Sequence, residues 1–215
     1  MTYPLIVIEG IDGAGKTTQA KWLSKKLGAK YIKGGGWQTN SPLASRAERE
    51  GSRNRYFSLM QLKQLREVQK MIKEHQGENV TGVVDRLVLV DVAHILSLTW
   101  DKEKKDFPKE AKETARLSLK EHIPENVLGI IIDIADKQII EQRIKGRSDR
   151  LPETDTLKRF EAKREAYTWC AKELGWEIIN GEGTVTEVNE KIETTLNRRG
   201  VILERISSGG KELES

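Results

Sequence analysis

The chain has 215 residues, enough for one domain with a conventional core, so neither disulfides nor a structural metal is needed to hold it together. Charged residues make up 33% and hydrophobic residues 37%; no apolar run approaches the ~18–20 residues of a membrane span, and a single cysteine excludes an internal disulfide. The net charge of +4 is spread over interleaved Lys, Arg, Glu and Asp rather than gathered in a basic block, which argues against general nucleic-acid binding.

The first apolar stretch, Leu5–Glu9, reads as a buried strand with no basic segment ahead of it, so no export signal is expected. Thr17–Leu27 follows with helical spacing (Ala20, Leu23 and Leu27 on one face) and stops at Gly28. Ala29–Ile32 reads as a second strand. Asn54–His75 is a long amphipathic helix with Leu59, Leu62, Leu65 and Val68 in register. Val80–Asp85 is a third strand, and Leu87–Trp100 and Pro108–Glu121 are helices. Val127–Asp133 is a fourth strand, followed by helices at Asp136–Lys145 and Asp155–Leu174. Trp176–Asn180 is a fifth strand. Thr184–Arg199 opens on a capping box, with Glu187 three residues after Thr184. Cys170 falls in a helical run, which predicts a buried thiol and a reducing, cytoplasmic setting. Gly200–Ser215 reads as a flexible tail.

Strands alternating with helices predict an α/β fold with a five-stranded parallel sheet, helices on both faces and right-handed crossovers. Ligands of such sheets sit at the carboxyl ends of the strands. Asp12, Lys33, Asp85 and Arg86 all fall at or just past those ends.

The first strand runs into Gly10-Ile11-Asp12-Gly13-Ala14-Gly15-Lys16-Thr17-Thr18, which satisfies G-x-x-x-x-G-K-[ST] between a strand and a helix. Glycines let backbone N–H groups wrap closely round phosphate oxygens at a helix N-terminus. Lys16 is then expected to reach the β- and γ-phosphates of ATP, and the Thr17 hydroxyl to ligate Mg²⁺. No Asn-Lys-x-Asp guanine signature is present, so a GTPase switch is disfavoured.

Asp85-Arg86 ends the third strand beside this loop, where a carboxylate can hold Mg²⁺ and an arginine can bind phosphate. A second basic cluster, Arg143, Lys145, Arg147 and Arg150, follows the fourth strand. Arg143 and Arg147 are four apart and share a helix face. The cluster reads either as a solvated helix end or as a lid, about 143–155, whose arginines close over a transferring phosphoryl group.

From Glu9 to Gln19 the sequence resembles the opening of thymidylate kinases almost residue for residue. Asp133-Ile134-Ala135-Asp136 with Arg143, Arg147 and Asp149-Arg150 is similar to that family's fourth strand, helix and lid. Ile178-Ile179-Asn180-Gly181 with Thr184-Val185-Thr186-Glu187-Val188 is similar to its last strand and helix. The likeness covers about residues 5 to 199 and implies a three-layer P-loop kinase domain over 1–199. It implies that Asp12 contacts the acceptor sugar's 3′ hydroxyl, that Asp85 lies near Mg²⁺, and that Arg86 holds the acceptor phosphate with Arg66 and Lys33. Because the loop carries Ala14 and no arginine, it also implies that the lid arginines supply the catalytic cation. The family's Thr-Arg-Glu-Pro-Gly-Gly is replaced by Ile32-Lys33-Gly34-Gly35-Gly36-Trp37, its Asp-Arg-Tyr by Asp85-Arg86-Leu87, and its Tyr-Gln by Ala93-His94. Lys33 matches the missing arginine in charge but not in its planar grip on phosphate. Trp37, Tyr56 and Phe57 are candidates for a stacking ring or for packing.

The expected activity is therefore ATP- and Mg²⁺-dependent phosphorylation of a nucleoside monophosphate, dTMP foremost, by a homodimer. The alternatives are a deoxynucleoside kinase acting on a hydroxyl, which needs a base such as Asp85, Glu9 or Asp12, and a nucleotide-binding regulator without catalysis.

Overall fold

The computed structural model describes residues 3–34, 53–75, 80–146 and 155–201, and for 53–62 and 155 the backbone alone. Arg147, Arg150, Trp37, the side chains of Tyr56 and Phe57, and residues 202–215 of the expected tail lie outside the described residues. β1 (Leu5–Glu9) is buried throughout, as its unbroken apolar run requires of a central strand. It pairs in parallel with β3 (Gly82–Asp85) on one side and β4 (Val127–Asp133) on the other. β2 (Lys30–Lys33) adds to β3 and β5 (Glu177–Asn180) to β4, giving the parallel order β2-β3-β1-β4-β5.

Helix α1 (Lys16–Leu27) covers β1 and β3 beside α8 (Val185–Arg198), and α7 (Phe160–Leu174) packs on β4 against α3 (Leu89–Leu98) and α4 (Lys109–His122). The remaining helices are α2 (Arg53–Glu74), α5 (Lys137–Lys145) and α6 (Asp155–Lys158). The expected capping box is formed. The Thr184 N–H donates to Glu187 Oε2 at 2.7 Å, and the Glu187 N–H donates to Thr184 Oγ1 at 3.3 Å. Asp136 caps α5 by accepting from the Gln138 N–H at 2.8 Å. Among the described residues no helix is long and apolar enough to cross a membrane.

The helix expected over Asp155–Leu174 is two helices, broken at Arg159, whose φ of −121° leaves the helical range. The break allows α7 to lie along α3 while Thr156, on α6, turns toward the loop after β1. The core is continuous from β1 and β4 through Val68, Leu96, Ile140, Ala166 and Leu196. Cys170 belongs to it, fully buried, and burial pushes its thiol up to about 12.

The register aligns Lys33 with Asp85 and Asp85 with Ile8, so β2, β3 and β1 deliver their carboxyl ends to one edge of the sheet. β1 leads first to β2 and β3 on one side, and β4 and β5 lie on the other, so the order reverses at β1. A ligand crevice forms at such a reversal.

Candidate active site

Beyond Glu9 the chain leaves β1 through Gly10 at φ 141°, where an added Cβ would stand 2.4 Å from the Ile132 carbonyl oxygen of β4. Only glycine lets the loop depart so close to the neighbouring strand. The loop closes on itself through the Ala14 N–H, which donates to the Ile11 carbonyl at 3.2 Å, and α1 begins without a side-chain cap at Gly15. An uncapped helix start facing a glycine loop is a seat for an anion. Lys16 is buried and donates its Nζ to the Ile11 carbonyl at 2.6 Å. Burial, with Arg86 next, lowers its ammonium pKa well below the ordinary lysine value, against the pull of Asp12, Glu9 and Asp85.

Two carboxylates stand behind the loop. Asp85, 4% exposed, accepts the Tyr31 hydroxyl on Oδ2 at 2.9 Å; Glu9, at 0%, accepts the Leu87 N–H on Oε1 at 2.6 Å. Their other oxygens, Asp85 Oδ1 and Glu9 Oε2, are the buried side-chain polar atoms without a hydrogen-bond partner among the described residues. Buried polar atoms are nearly always paired, so these two oxygens, within the electrostatic reach of Lys16, are open to a further partner. With the Thr17 hydroxyl, half-buried at the start of α1, this donor set is all oxygen and suits Mg²⁺. Burial raises the Glu9 carboxyl to about 7, although the Leu87 N–H, Arg86 and Lys16 each pull it down.

A third carboxylate lies on the acceptor side. Asp12 pairs with the Arg86 guanidinium through Oδ1 and accepts the Thr156 hydroxyl on Oδ2 at 2.9 Å. Burial acts to raise its pKa, but Arg86, then Lys16 and Thr156, outweigh burial and hold it well below the usual carboxylate range. Arg86 itself has φ 71°, a left-handed conformation that costs a non-glycine residue about 1–2 kcal/mol. Next to Asp12 a cavity of about 130 Å³ is lined by Asp91, His94, Thr156, Lys163 and Tyr167.

The fold thus gathers Asp12, Asp85 and Arg86, three of the four strand-end residues, in one crevice with Lys16 of the phosphate loop. Thr18 faces solvent on α1, and Lys33 is exposed at the end of β2. α2 turns Arg66 to its exposed side; the α2 side chain that reaches the crevice is Gln64, which is buried and donates Nε2 to the Arg86 carbonyl. Arg143 lies on the other side of the loop, donating to the carbonyls of Gly181 and Gly183 at 3.2 and 3.3 Å. There it lines a cavity of about 390 Å³ with Gly13, Ala14, Gly15, Thr18 and Thr184. The described part of the helix therefore points Arg143 at the β5–α8 turn rather than at Asp85.

Four residues of the crevice were not singled out from the sequence for the places they take here: Glu9 as an orphan acid behind the loop, Tyr31, Gln64 and Thr156. Glu9 had a signal, a carboxylate ending an otherwise apolar buried strand. Gln64 had a weaker one, since it shares the α2 stripe of Val68 and Met71 at helical spacing. Tyr31 and Thr156 had none, because their partners are 54 and 144 residues away.

No protein-family model matches the chain. Over an alignment of 207 residues it is 26% identical to a thymidylate kinase of Prochlorococcus marinus, covering 89% of this chain and 94% of that protein. A 26-residue stretch is 73% identical to a probable thymidylate kinase of Methanococcus vannielii, a match spanning 12% of this chain and 13% of that one. Among solved structures it is similar to the thymidylate kinase of Candida albicans, with a TM-score of 0.61, 17% identity and 93% of each chain covered. It is similar as well to a deoxyadenosine kinase of M. mycoides with bound dATP, with a TM-score of 0.58, 22% identity, and 90% and 99% of the chains covered. The fold is that of P-loop kinases.

Proposed function

We propose that this chain, a phosphotransferase resembling the thymidylate kinases, transfers the γ-phosphoryl group of ATP to a nucleoside monophosphate, dTMP foremost. One observation carries the reading. The phosphate loop carries a buried lysine, Lys16, and through its own Asp12 holds Arg86 from the end of β3, so two cations near enough to act on each other can each take the phosphate of one of two ligands brought end to end.

ATP phosphates take the loop from Gly10 to Thr18, where Lys16 exchanges the Ile11 carbonyl for phosphate oxygen. The cavity between the loop and the β5–α8 turn, with Arg143 in its wall, is open to the rest of that nucleotide. Thr17 and Asp85 would hold Mg²⁺, which supplies positive charge against the β- and γ-phosphates when bound. On the opposite side Arg86 leaves Asp12 for the acceptor's phosphate, and Asp12 takes the sugar hydroxyl. An acceptor phosphate is already anionic near neutral pH, so no general base is required and positioning carries the rate. Arg147 and Arg150, in a lid over about 143–155, are proposed to cover the transferring group. Lys33 and Arg66 add positive charge at the rim. A homodimer of one-domain subunits in the cytoplasm completes the proposal.

A second reading, a deoxynucleoside kinase, is favoured by one feature: Asp85 Oδ1 and Glu9 Oε2, unpartnered among the described residues, are carboxylate oxygens of the kind that could take a proton from an alcohol. The test separates the two. ATP is assayed with dTMP, dUMP, dGMP, dCMP and AMP, and in parallel with thymidine and deoxyadenosine. Turnover of a monophosphate but not of its nucleoside is expected. Turnover of nucleosides alone assigns the second reading, and nucleotide binding with no turnover of any acceptor overturns both.

A further inference from the structure

Arg86 stands in a conformation its own side chain disfavours, so something must hold it there. Of the non-glycine residues described, only Arg86 and Lys105 have a positive φ. Lys105 is exposed in a turn; Arg86 follows a buried strand and carries the guanidinium that meets Asp12. A strained backbone persists only where its surroundings over-determine it, and here they do so on three sides. The Arg86 N–H donates to the Ile8 carbonyl at 3.1 Å, extending the β3 ladder along β1. The next N–H, of Leu87, donates to Glu9 Oε1 at 2.6 Å. The Arg86 carbonyl accepts from Gln64 Nε2.

The first two contacts come from β1, which the sheet fixes. The third comes from a helix, and from a residue 5% exposed on the buried stripe of α2 with Leu65, Val68 and Met71. An uncharged amide there contributes neither apolar burial nor a cation. What it supplies is a hydrogen-bond donor to the carbonyl of the left-handed residue itself. Helical geometry sends Arg66, two residues on and about 200° round, to the opposite side.

We propose that Gln64 is a positioning residue for phosphoryl transfer. By holding the Arg86 carbonyl it keeps the arginine's backbone left-handed and its guanidinium at the acceptor side of the loop. The inference rests on the acceptor role given to Arg86 above.

The experiment compares Gln64→Glu, which keeps the shape and sets a carboxylate oxygen against the Arg86 carbonyl, with Gln64→Met, which keeps length and bulk but lacks the donor. Both are made in the full chain, alone and with Arg86→Ala, and thermal melting selects the variants that fold. Steady-state kinetics then use ATP and the acceptor turned over best in the panel above. Each Gln64 variant is expected to raise the acceptor KM about fivefold to tenfold, the scale of one lost hydrogen bond, with the ATP KM within about twofold. With Arg86→Ala already present, neither is expected to change the acceptor KM further. An unchanged acceptor KM, equal rises for both substrates, or a rise that persists undiminished beside Arg86→Ala overturns the Gln64 inference while leaving Arg86 where it was placed. If Arg86→Ala alone leaves the acceptor KM unchanged, the assignment of Arg86 falls, and this inference with it.

Discussion

Tyr31 and Asp85 are joined across adjacent parallel strands, the phenol hydroxyl donating to Oδ2 at 2.9 Å while Oδ1 stays buried and, among the described residues, unpartnered. The register sets Tyr31 beside Val83, two positions before Asp85, so both side chains emerge on the same face of the sheet. The tyrosine thus occupies one carboxylate oxygen and fixes the direction of the other. Burial, and then the Asp85 carboxylate, raises the Tyr31 pKa, so the phenol remains a donor throughout the neutral range.

Tyr31→Phe removes the donor with almost no change in shape. The expected outcome is a Mg²⁺ requirement shifted up several-fold, because Asp85 can then turn away from the cation, with a stability loss of about 1 kcal/mol. Titration of activity against Mg²⁺ at saturating ATP checks it. An unaltered Mg²⁺ midpoint would show that Asp85 needs no such support.

Glu9 gives the protein a pH signature. Burial raises its folded pKa from 4.5 to about 7, so the folded state holds a proton that the unfolded chain has released. The stability it contributes is fully present below about 4.5 and is lost as the pH rises through about 7. Glu9→Gln still accepts the Leu87 N–H and stays neutral at every pH. Its Tm is expected to gain on that of the unmodified protein steadily from pH 4.5 to 7.5 in the absence of nucleotide and metal. A difference that stays flat across that range would show Glu9 to be ionised throughout.

Gly129 lies in the middle of β4 under the Trp176 ring, and a Cβ there would sit 1.7 Å from the ring's Cδ2. Gly129→Ala must displace the indole from its place against the sheet, an overpacking expected to cost about 2–3 kcal/mol and to lower Tm by roughly 5–10 °C. Combined with Trp176→Leu, the loss is expected to be well below the sum of the two single losses, because the glycine matters only through that ring. Additive losses in thermal melts would refute the link.

Much of this was written in local sequence. The run Gly10–Thr18 specifies a phosphate loop by itself, because glycine spacing and one lysine are local properties of a turn and a helix start. β1 and β4 were legible to the residue, since a fully buried strand is an unbroken apolar run. The capping box at Thr184 was legible for a similar reason: both its partners lie within one helical turn.

Where the partner is distant in the chain, only the folded molecule decides. The family resemblance implied Arg66 near the acceptor, and the basic cluster around Arg143 read either as a helix end or as part of a lid; in the fold, the α2 side chain that reaches the crevice is Gln64, and Arg143 meets the turn after β5. The break at Arg159 was equally hidden, for it follows from Thr156 reaching Asp12 while α7 follows α3. A helix period fixes which residues share a face, but which face turns inward depends on the surfaces it meets. The sequence alone therefore determined the phosphate loop, the order of strands and helices, and the kinase likeness. The pairing of Asp12 with Arg86, the orphan oxygens of Glu9 and Asp85, and the strained backbone that Gln64 holds arose only when the sheet brought β1, β2 and β3 to a common edge, because burial and hydrogen-bond partners are properties of packed neighbours and not of residues in a row.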